Sequence, residues 1–290
     1  MIIVSLSGGL GNQMFQYAAG KALATRLGAT LKIDTSFYQI YNTNRVYELD
    51  SAFSGSFDIA SQSDLRNVLG WLFFVYKHPY LRKLAKRLVL SRTWVVEKGF
   101  AYNPTFWNSP RCCVLEGNWQ SEKYFADYQM EIRSNFSFDS TGYSNQDLLA
   151  KISETNSIGI HIRRGDYVTN KKAFAFHGVC VAEYYSAAIK LIQQRVGEGK
   201  YFVFSDDITS AKSIMDRCDD VTYVDNHLLG DHFDMMLMSK CKHNIIANSS
   251  FSWWGAWLNT NPDKIVIAPK KWFANGMAVN DLLPDIWLKI

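Results

Sequence analysis

The chain has no apolar run long enough to span a bilayer. The longest near-continuous one, Val68 to Tyr76, is ended by Lys77, far short of the roughly 18 residues a spanning helix needs. The start, Met1-Ile2-Ile3-Val4-Ser5-Leu6 and then glycine, has neither a basic n-region nor a long h-region, so it does not read as a signal peptide. No Cys-x-x-Cys pair occurs. The five cysteines (Cys112, Cys113, Cys180, Cys218 and Cys241) are odd in number and lack metal-ligand spacing. They predict reduced, mostly buried thiols in a cytosolic protein. Charge of one sign is also scarce: 31 basic minus 27 acidic residues gives +4. That is too weak to imply nucleic acid by itself and is compatible with an anionic small molecule or an acidic membrane surface. Internal repeats and low-complexity stretches are absent.

What is present reads as a folded protein. Hydrophobic residues make up 48% and charged residues 20%, which excludes a disordered chain. A length of 290 residues suggests about two domains. Aromatics are abundant, with nine Trp; such side chains line sugar and base sites, but most serve as core.

The opening alternates strand, loop, helix and strand. Ile2–Leu6 is an apolar strand, and Asn12 is placed to cap a helix whose apolar residues recur from Phe15 to Leu27. Gly28 sits at its C′ position, and Thr30–Asp34 is the second strand. Residues 35–150 are less regular. Asn67–Leu90 reads as helix with a break at Pro79, and Cys113–Glu116 as a strand. Beyond the polar stretch Asp147–Asn156, strands are expected at Ser157–Arg163, Tyr201–Ser205, Val221–Val224, Asn244–Ala247 and Ile265–Ala268. Helices fall between them at Ala182–Val196, Ser210–Cys218, Asp231–Cys241 and Phe251–Leu258. The expectation is α/β, with two doubly wound domains at 1–150 and 151–290. Ligands of such sheets bind at the carboxyl ends of the strands.

Four segments at strand ends carry chemistry. The loop Gly8-Gly9-Leu10-Gly11-Asn12-Gln13 is neither a dinucleotide fingerprint nor a P-loop. Gly9 and Gly11 leave bare backbone, and two amides are presented at a helix N-terminus; the ordinary alternative is a tight turn capped by Asn12. In His161-Ile162-Arg163-Arg164-Gly165-Asp166, His161 and Arg163 share one strand face and Arg164 takes the other. Paired arginines suit phosphate; the alternative is an internal arginine–Asp166 pair. In Asn248-Ser249-Ser250-Phe251, serines at a helix entry offer an anion seat; the alternative is a plain N-cap on an aromatic core helix. In Ser205-Asp206-Asp207 the carboxylates read as helix capping or nucleoside contact rather than a metal site. Asp234 can accept two hydrogen bonds from guanine, its alternative being an exposed helix carboxylate. A fifth segment, Lys77 to Arg92, interleaves six basic residues with leucines. It suits an anionic membrane surface, or is an ordinary solvated helix face.

The ordered segments GGLGNQMFQYAAGKALA, HIRRGDYV, FSDD and NSSFSWWGAWL resemble glycosyltransferase family 11, the α-1,2-fucosyltransferases, and the bacterial members above all. LEGNWQSEKYF and HGVC-x-x-x-YY add to the likeness, which runs nearly end to end. The resemblance implies a GT-B fold, two Rossmann-like domains facing across a cleft, with the acceptor on the N-terminal side and the donor on the C-terminal side. It implies GDP-fucose as co-substrate, a galactoside acceptor such as an O-antigen or capsule intermediate, inversion, and no metal or other cofactor. It assigns the donor diphosphate to Arg163 with Ser249 and Ser250, guanine to Asp234, and the reacting sugar to Asn12. Where α-1,6 relatives carry a glutamate base, this chain has Lys171, leaving Asp166 and His177 as candidates. Alternatives are another GDP-sugar such as GDP-mannose, or a non-catalytic glycan- or nucleotide-binding protein. The expected location is cytoplasmic, with loose attachment to the inner membrane face through Lys77 to Arg92.

Overall fold

The computed structural model describes residues 1–41, 45–88, 91–139, 143–165, 171–216, 218–226, 230–277 and 280–290. They divide into two compact units, Met1–Asp139 with Asn280–Leu282, and Ser140–Val279 with Leu283–Ile290. Each unit is an all-parallel sheet with helices.

In the first unit, β1 (Ile2–Ser5), β2 (Leu31–Asp34), β3 (Trp94–Val96) and β4 (Cys113–Glu116) lie in the order β2-β1-β4-β3. β1 and β4 bury every residue, as parallel strands covered on both faces do. The helix after β1 runs Leu10–Leu27 and ends on Gly28 at φ 57°, a left-handed conformation that needs no Cβ. Asn12 is not its cap. The N-cap is Gly9, whose carbonyl accepts from the N–H groups of Asn12 and Gln13, so Asn12 lies inside the first turn. The stretch expected as one broken helix is three: Gln62–Leu69, Leu72–Lys77 and Pro79–Leu88. Gly70, at φ 58°, closes the first. Pro79 opens the third, where its missing N–H costs nothing.

In the second unit, β5 (Ser157–Ile162), β6 (Lys200–Ser205), β7 (Val221–Val224), β8 (His243–Ile245), β9 (Val266–Ala268) and β10 (Leu288–Lys289) lie in the order β10-β9-β8-β5-β6-β7. The expected strands are present, with ends shifted by a few residues. β10 has only two residues, too few to show a pattern. The polar stretch expected as a boundary is instead the helix Gln146–Glu154, capped by Asn145 and buried through Leu148 and Ile152. Ile158, Ile160 and Ile162 pack with Tyr185, Ile192 and Ile245 in this unit's core. Most of the tryptophans are core too: Trp94, Trp253 and Trp254 are fully buried, whereas Trp71 is exposed.

Both sheets have a point where the strand order reverses. In the first unit it lies between β1 and β4, in the second between β5 and β8. Loops leaving the two strands diverge there and open a crevice. The five cysteines are free, three of them buried. Among the described residues no helix is long and apolar enough to cross a membrane.

Candidate functional site

The second unit's reversal point gathers two of the strand-end segments. β5 leads into Arg163 and Arg164, and β8 leads through Asn248 into the helix Ser250–Leu258. Pairing of Ile160 with Ile245 sets the two strand ends side by side. The His161 ring packs on Phe251, centroids 5.6 Å apart. Ser249 is the helix N-cap in extended conformation, and its side chain makes no capping hydrogen bond. The first-turn N–H groups are therefore available to an anion.

Arg163 is held from the end of β6. Its Nη1 lies 2.9 Å from Asp206 Oδ2, both side chains partly exposed. Asp206 Oδ1 accepts the Arg164 N–H at 2.8 Å. Asp206 thus supplies a carboxylate from the end of the neighbouring strand, and Asp166, named in the alternative of an internal pair, lies outside the described residues. Gly165 leaves no room for a side chain against Asp206. Arg164 turns elsewhere, its Nη2 donating to the Cys180 carbonyl at 2.9 Å. Asp207 caps the helix Ile208–Ile214 by accepting the Ser210 N–H at 3.0 Å; the Ser210 hydroxyl, donating at 2.6 Å, and then that N–H lower its pKa. The Ser205 hydroxyl donates to the Ile162 carbonyl at 2.7 Å and accepts the Asp207 N–H at 3.0 Å. The three residues Ser205 to Asp207 form a brace beneath Arg163.

His161 is buried. Loss of water, with Arg163 beside it, pushes its pKa down to about 3, so the ring stays neutral at ordinary pH. Asn248 is buried too. Its amide donates to the carbonyls of His177 and Trp272 at 2.9 and 3.0 Å, fixing the segment that carries His177. The His177 ring lies near Phe176 and Phe273. It lines an apolar crevice of about 550 Å³. Asp234, in the first turn of the helix Asp231–Lys240, accepts from Asn226 at 2.7 Å.

At the first unit's reversal point, Gly8 adopts φ 77°, and a Cβ there would strike the Asn12 amide. Asn12 Oδ1 accepts from Gln120 at 2.8 Å. Gln13 is not presented as expected: it is fully buried, donating to the Val46 carbonyl and accepting the Glu48 N–H. The Arg45 guanidinium lies against Gly9, a neighbour no sequence pattern indicated. Arg82, expected on a solvated or membrane-facing basic stretch, is buried instead. Its Nε donates to Glu116 at 3.0 Å and its Nη2 to Ser5 at 2.8 Å, and Lys86 also pairs with Glu116. Among the described residues, no group of three or more His, Cys, Asp or Glu could hold a metal ion.

Residues 104–287 match glycosyl transferase family 11. An alpha-1,2-colitosyltransferase of Escherichia coli is 35% identical over 296 residues, covering 100% of this chain and 99% of its own. The O-antigen biosynthesis glycosyltransferase WbnK of Escherichia coli is 36% identical over 304 residues, covering 98% and 99%. Galactoside 2-alpha-L-fucosyltransferase Sec1 of Mus musculus is 26% identical, covering 92% of this chain and 67% of its own. Among solved structures, the fucosyltransferase NodZ from Bradyrhizobium aligns with a TM-score of 0.51 at 17% identity, covering 88% and 90%. That likeness carries fold alone. With two parallel, doubly wound units, it meets the expectation of a GT-B class of fold.

Proposed function

The chain belongs to glycosyl transferase family 11, and on that premise we propose that it transfers L-fucose from GDP-fucose to the 2-hydroxyl of a galactose, with inversion and without metal. The acceptor on this reading is a glycan such as an O-antigen or capsule intermediate. The observation that carries it is the reversal point between β5 and β8, where Arg163, steadied by Asp206, stands with an uncapped helix N-terminus.

The acceptor hydroxyl attacks the anomeric carbon, and GDP leaves from the opposite face. Negative charge grows on the β-phosphate. Arg163, Ser249, Ser250 and the first-turn N–H groups are in place before that charge forms, which is where electrostatic stabilisation lowers a barrier most. Asp234 takes the guanine N–H donors, its orientation set by Asn226. Asn12, held by Gln120, meets the reacting sugar. Asp166 and His177 are the proposed proton acceptors. The first unit is assigned to the acceptor and the second to the donor.

A second donor is favoured by one comparison, the colitosyltransferase at 35% identity. Colitose is fucose without its 3-hydroxyl. A site built to bond a hydroxyl rejects the analogue lacking it by a factor of about 10⁴–10⁵, so a competition assay separates the two. GDP release is measured with GDP-fucose, GDP-colitose and GDP-mannose on a panel of galactosides, in EDTA. The expected result is release with GDP-fucose, an α-1,2 product and no effect of the chelator. Release with GDP-colitose alone reassigns the donor. Activity that returns only with Mn²⁺ or Mg²⁺ moves Asp206 and Asp207 into a metal site. Silence with every donor leaves a binding protein.

We also propose that the helices Leu72–Lys77 and Pro79–Leu88 rest on an anionic membrane surface. With Arg82 and Lys86 turned to Glu116, the attachment falls to exposed apolar side chains. Trp71 and Phe74 are 74% and 68% exposed, and Leu81 and Leu84 are 47% and 56%. Lys83 stands exposed beside them. Trp71→Ser with Phe74→Ser should lower co-sedimentation with anionic liposomes at least about fivefold. Lys83→Gln should lower it less and in a salt-dependent way, since one lysine near such a surface is worth about 1 kcal/mol. Equal sedimentation of all variants makes the helices a plain solvated surface.

A further inference from the structure

At the ends of β1, β3 and β4 the first unit opens a crevice of about 320 Å³. Its floor is rigid. The Arg82 guanidinium lies on the Tyr76 ring at 3.8 Å and is tied to Glu116 and Ser5. The groups within reach of a ligand are of two kinds. Glu97 and Asn118 are polar and half-buried, and the Asn118 amide makes no hydrogen bond among the described residues. Phe37, Tyr41 and Phe100 are aromatic, the first two with centroids 4.8 Å apart.

The charge count decides the ligand class. Two cations, Arg82 and Lys86, face two carboxylates, Glu116 and Glu97. An anion would meet the carboxylates and a cation the guanidinium and ammonium, so neither gains. A neutral ring bearing hydroxyls suits every wall. Its hydroxyls donate to Glu97 and exchange bonds with the Asn118 amide, and its C–H face lies on an aromatic ring. The lining is polar on the Ser7, Glu97 and Asn118 side and aromatic on the Phe37, Tyr41 and Phe100 side, and polar groups placed beside an apolar wall fix the orientation of a small molecule.

The crevice is also wired to the glycine loop. Glu97 Oε2 accepts the N–H groups of Asn118 at 2.6 Å and Trp119 at 3.0 Å. It thereby holds Trp119 at φ 52°, in the left-handed region. The next residue, Gln120, donates to Asn12. Burial outweighs the two N–H bonds and pushes the Glu97 carboxyl up to about 7, so above that pH it is the carboxylate that accepts from the ring hydroxyls.

We propose that this crevice seats a hexopyranose ring of the acceptor glycan, with Glu97 and Asn118 bonding its hydroxyls and Tyr41 stacking on its face. The inference rests on reading the chain as a transferase that acts on a galactoside. It is tested in two arms on the full chain, with Tyr41→Ala, Asn118→Ala and Glu97→Gln. The first arm measures saturation transfer from the protein to methyl β-D-galactopyranoside by NMR, with no nucleotide sugar present. Wild type should show transfer, and Tyr41→Ala and Asn118→Ala should lose most of it. No transfer in wild type, or equal transfer in all proteins, overturns the seat. The second arm measures steady-state kinetics. The acceptor KM should rise at least tenfold in each variant while the KM for GDP-fucose stays within twofold. Equal rises in both constants mean a structural effect and overturn the proposal. A failure of the fucosyl reading shows differently: wild type fails to use GDP-fucose, while the galactoside signal still depends on Tyr41 and Asn118.

Discussion

Arg163→Lys should lower the transfer rate at least about 100-fold in a protein that folds normally. Lysine keeps the charge but loses the planar fork that can bond Asp206 and a phosphate oxygen together. In the structure one arm of that fork is already taken, with Nη1 2.9 Å from Asp206 Oδ2. The remaining N–H groups are thereby aimed rather than free to rotate. A lysine ammonium at this place must choose between the carboxylate and the phosphate. Loss of a donor that acts on charge developing in the transition state typically costs about 2.7–4 kcal/mol, or 100- to 1,000-fold. Such a loss appears in kcat more than in KM. Asp206→Asn should lower kcat less, because the arginine remains but its aim is looser. Near-native kcat in Arg163→Lys would remove Arg163 from the reacting centre.

The second unit was largely legible from sequence because its signals are local. β5 carries isoleucine at every second position, and β6 has a four-residue apolar run from Tyr201 to Phe204. The segments that follow them contain their own turn and capping residues, so Asp207 could be read as a cap. Even there, Asp206 as the partner of Arg163 was out of reach. Asp166 is close in sequence, whereas Asp206 arrives from the neighbouring strand, and a register of parallel strands cannot be read from either strand alone. The first unit was less legible for the same reason, carried further. Asn12 meets Gln120, 108 positions further along the chain. Arg82 meets Glu116 across 34. Periodicity shows that Arg82 lies on a helix with leucines around it. It does not show that the helix turns this one cation inward, because burial of a cation depends on a carboxylate supplied from elsewhere. Asn12 was mistaken for a cap on the strength of its residue type, when the backbone of Gly9 starts the helix and frees the amide for Gln120.

The inward turn of Arg82 sets the largest expected effect on stability, at Glu116. This carboxylate ends β4 and is 7% exposed. It accepts from Arg82 Nε at 3.0 Å and from the Trp94 indole at 2.8 Å, and it pairs with Lys86. Glu116→Leu fills much the same volume but leaves the Arg82 guanidinium buried without its anion. Breaking a buried pair by removing one partner costs about 3–5 kcal/mol. At roughly 2–4 °C per kcal/mol for a domain of this size, the melting temperature should fall by about 6–20 °C. Removing both charges is a different experiment. In Arg82→Met with Glu116→Leu the Lys86 side chain, 40% exposed, can turn its ammonium to water, and the buried Asp34 keeps its hydrogen bonds from Ser36 and Tyr76. Apolar replacement of a whole buried pair is often neutral, so the double variant should regain most of the loss. The Trp94 N–H, left without an acceptor, keeps a deficit of about 1–3 kcal/mol. Thermal unfolding of the three proteins, followed by circular dichroism, checks the order: wild type highest, double variant next, single variant lowest. A single variant that melts within about 2 °C of wild type would mean that Arg82 reaches water on its own, and that the tie between Pro79–Leu88 and the end of β4 adds nothing to the first unit.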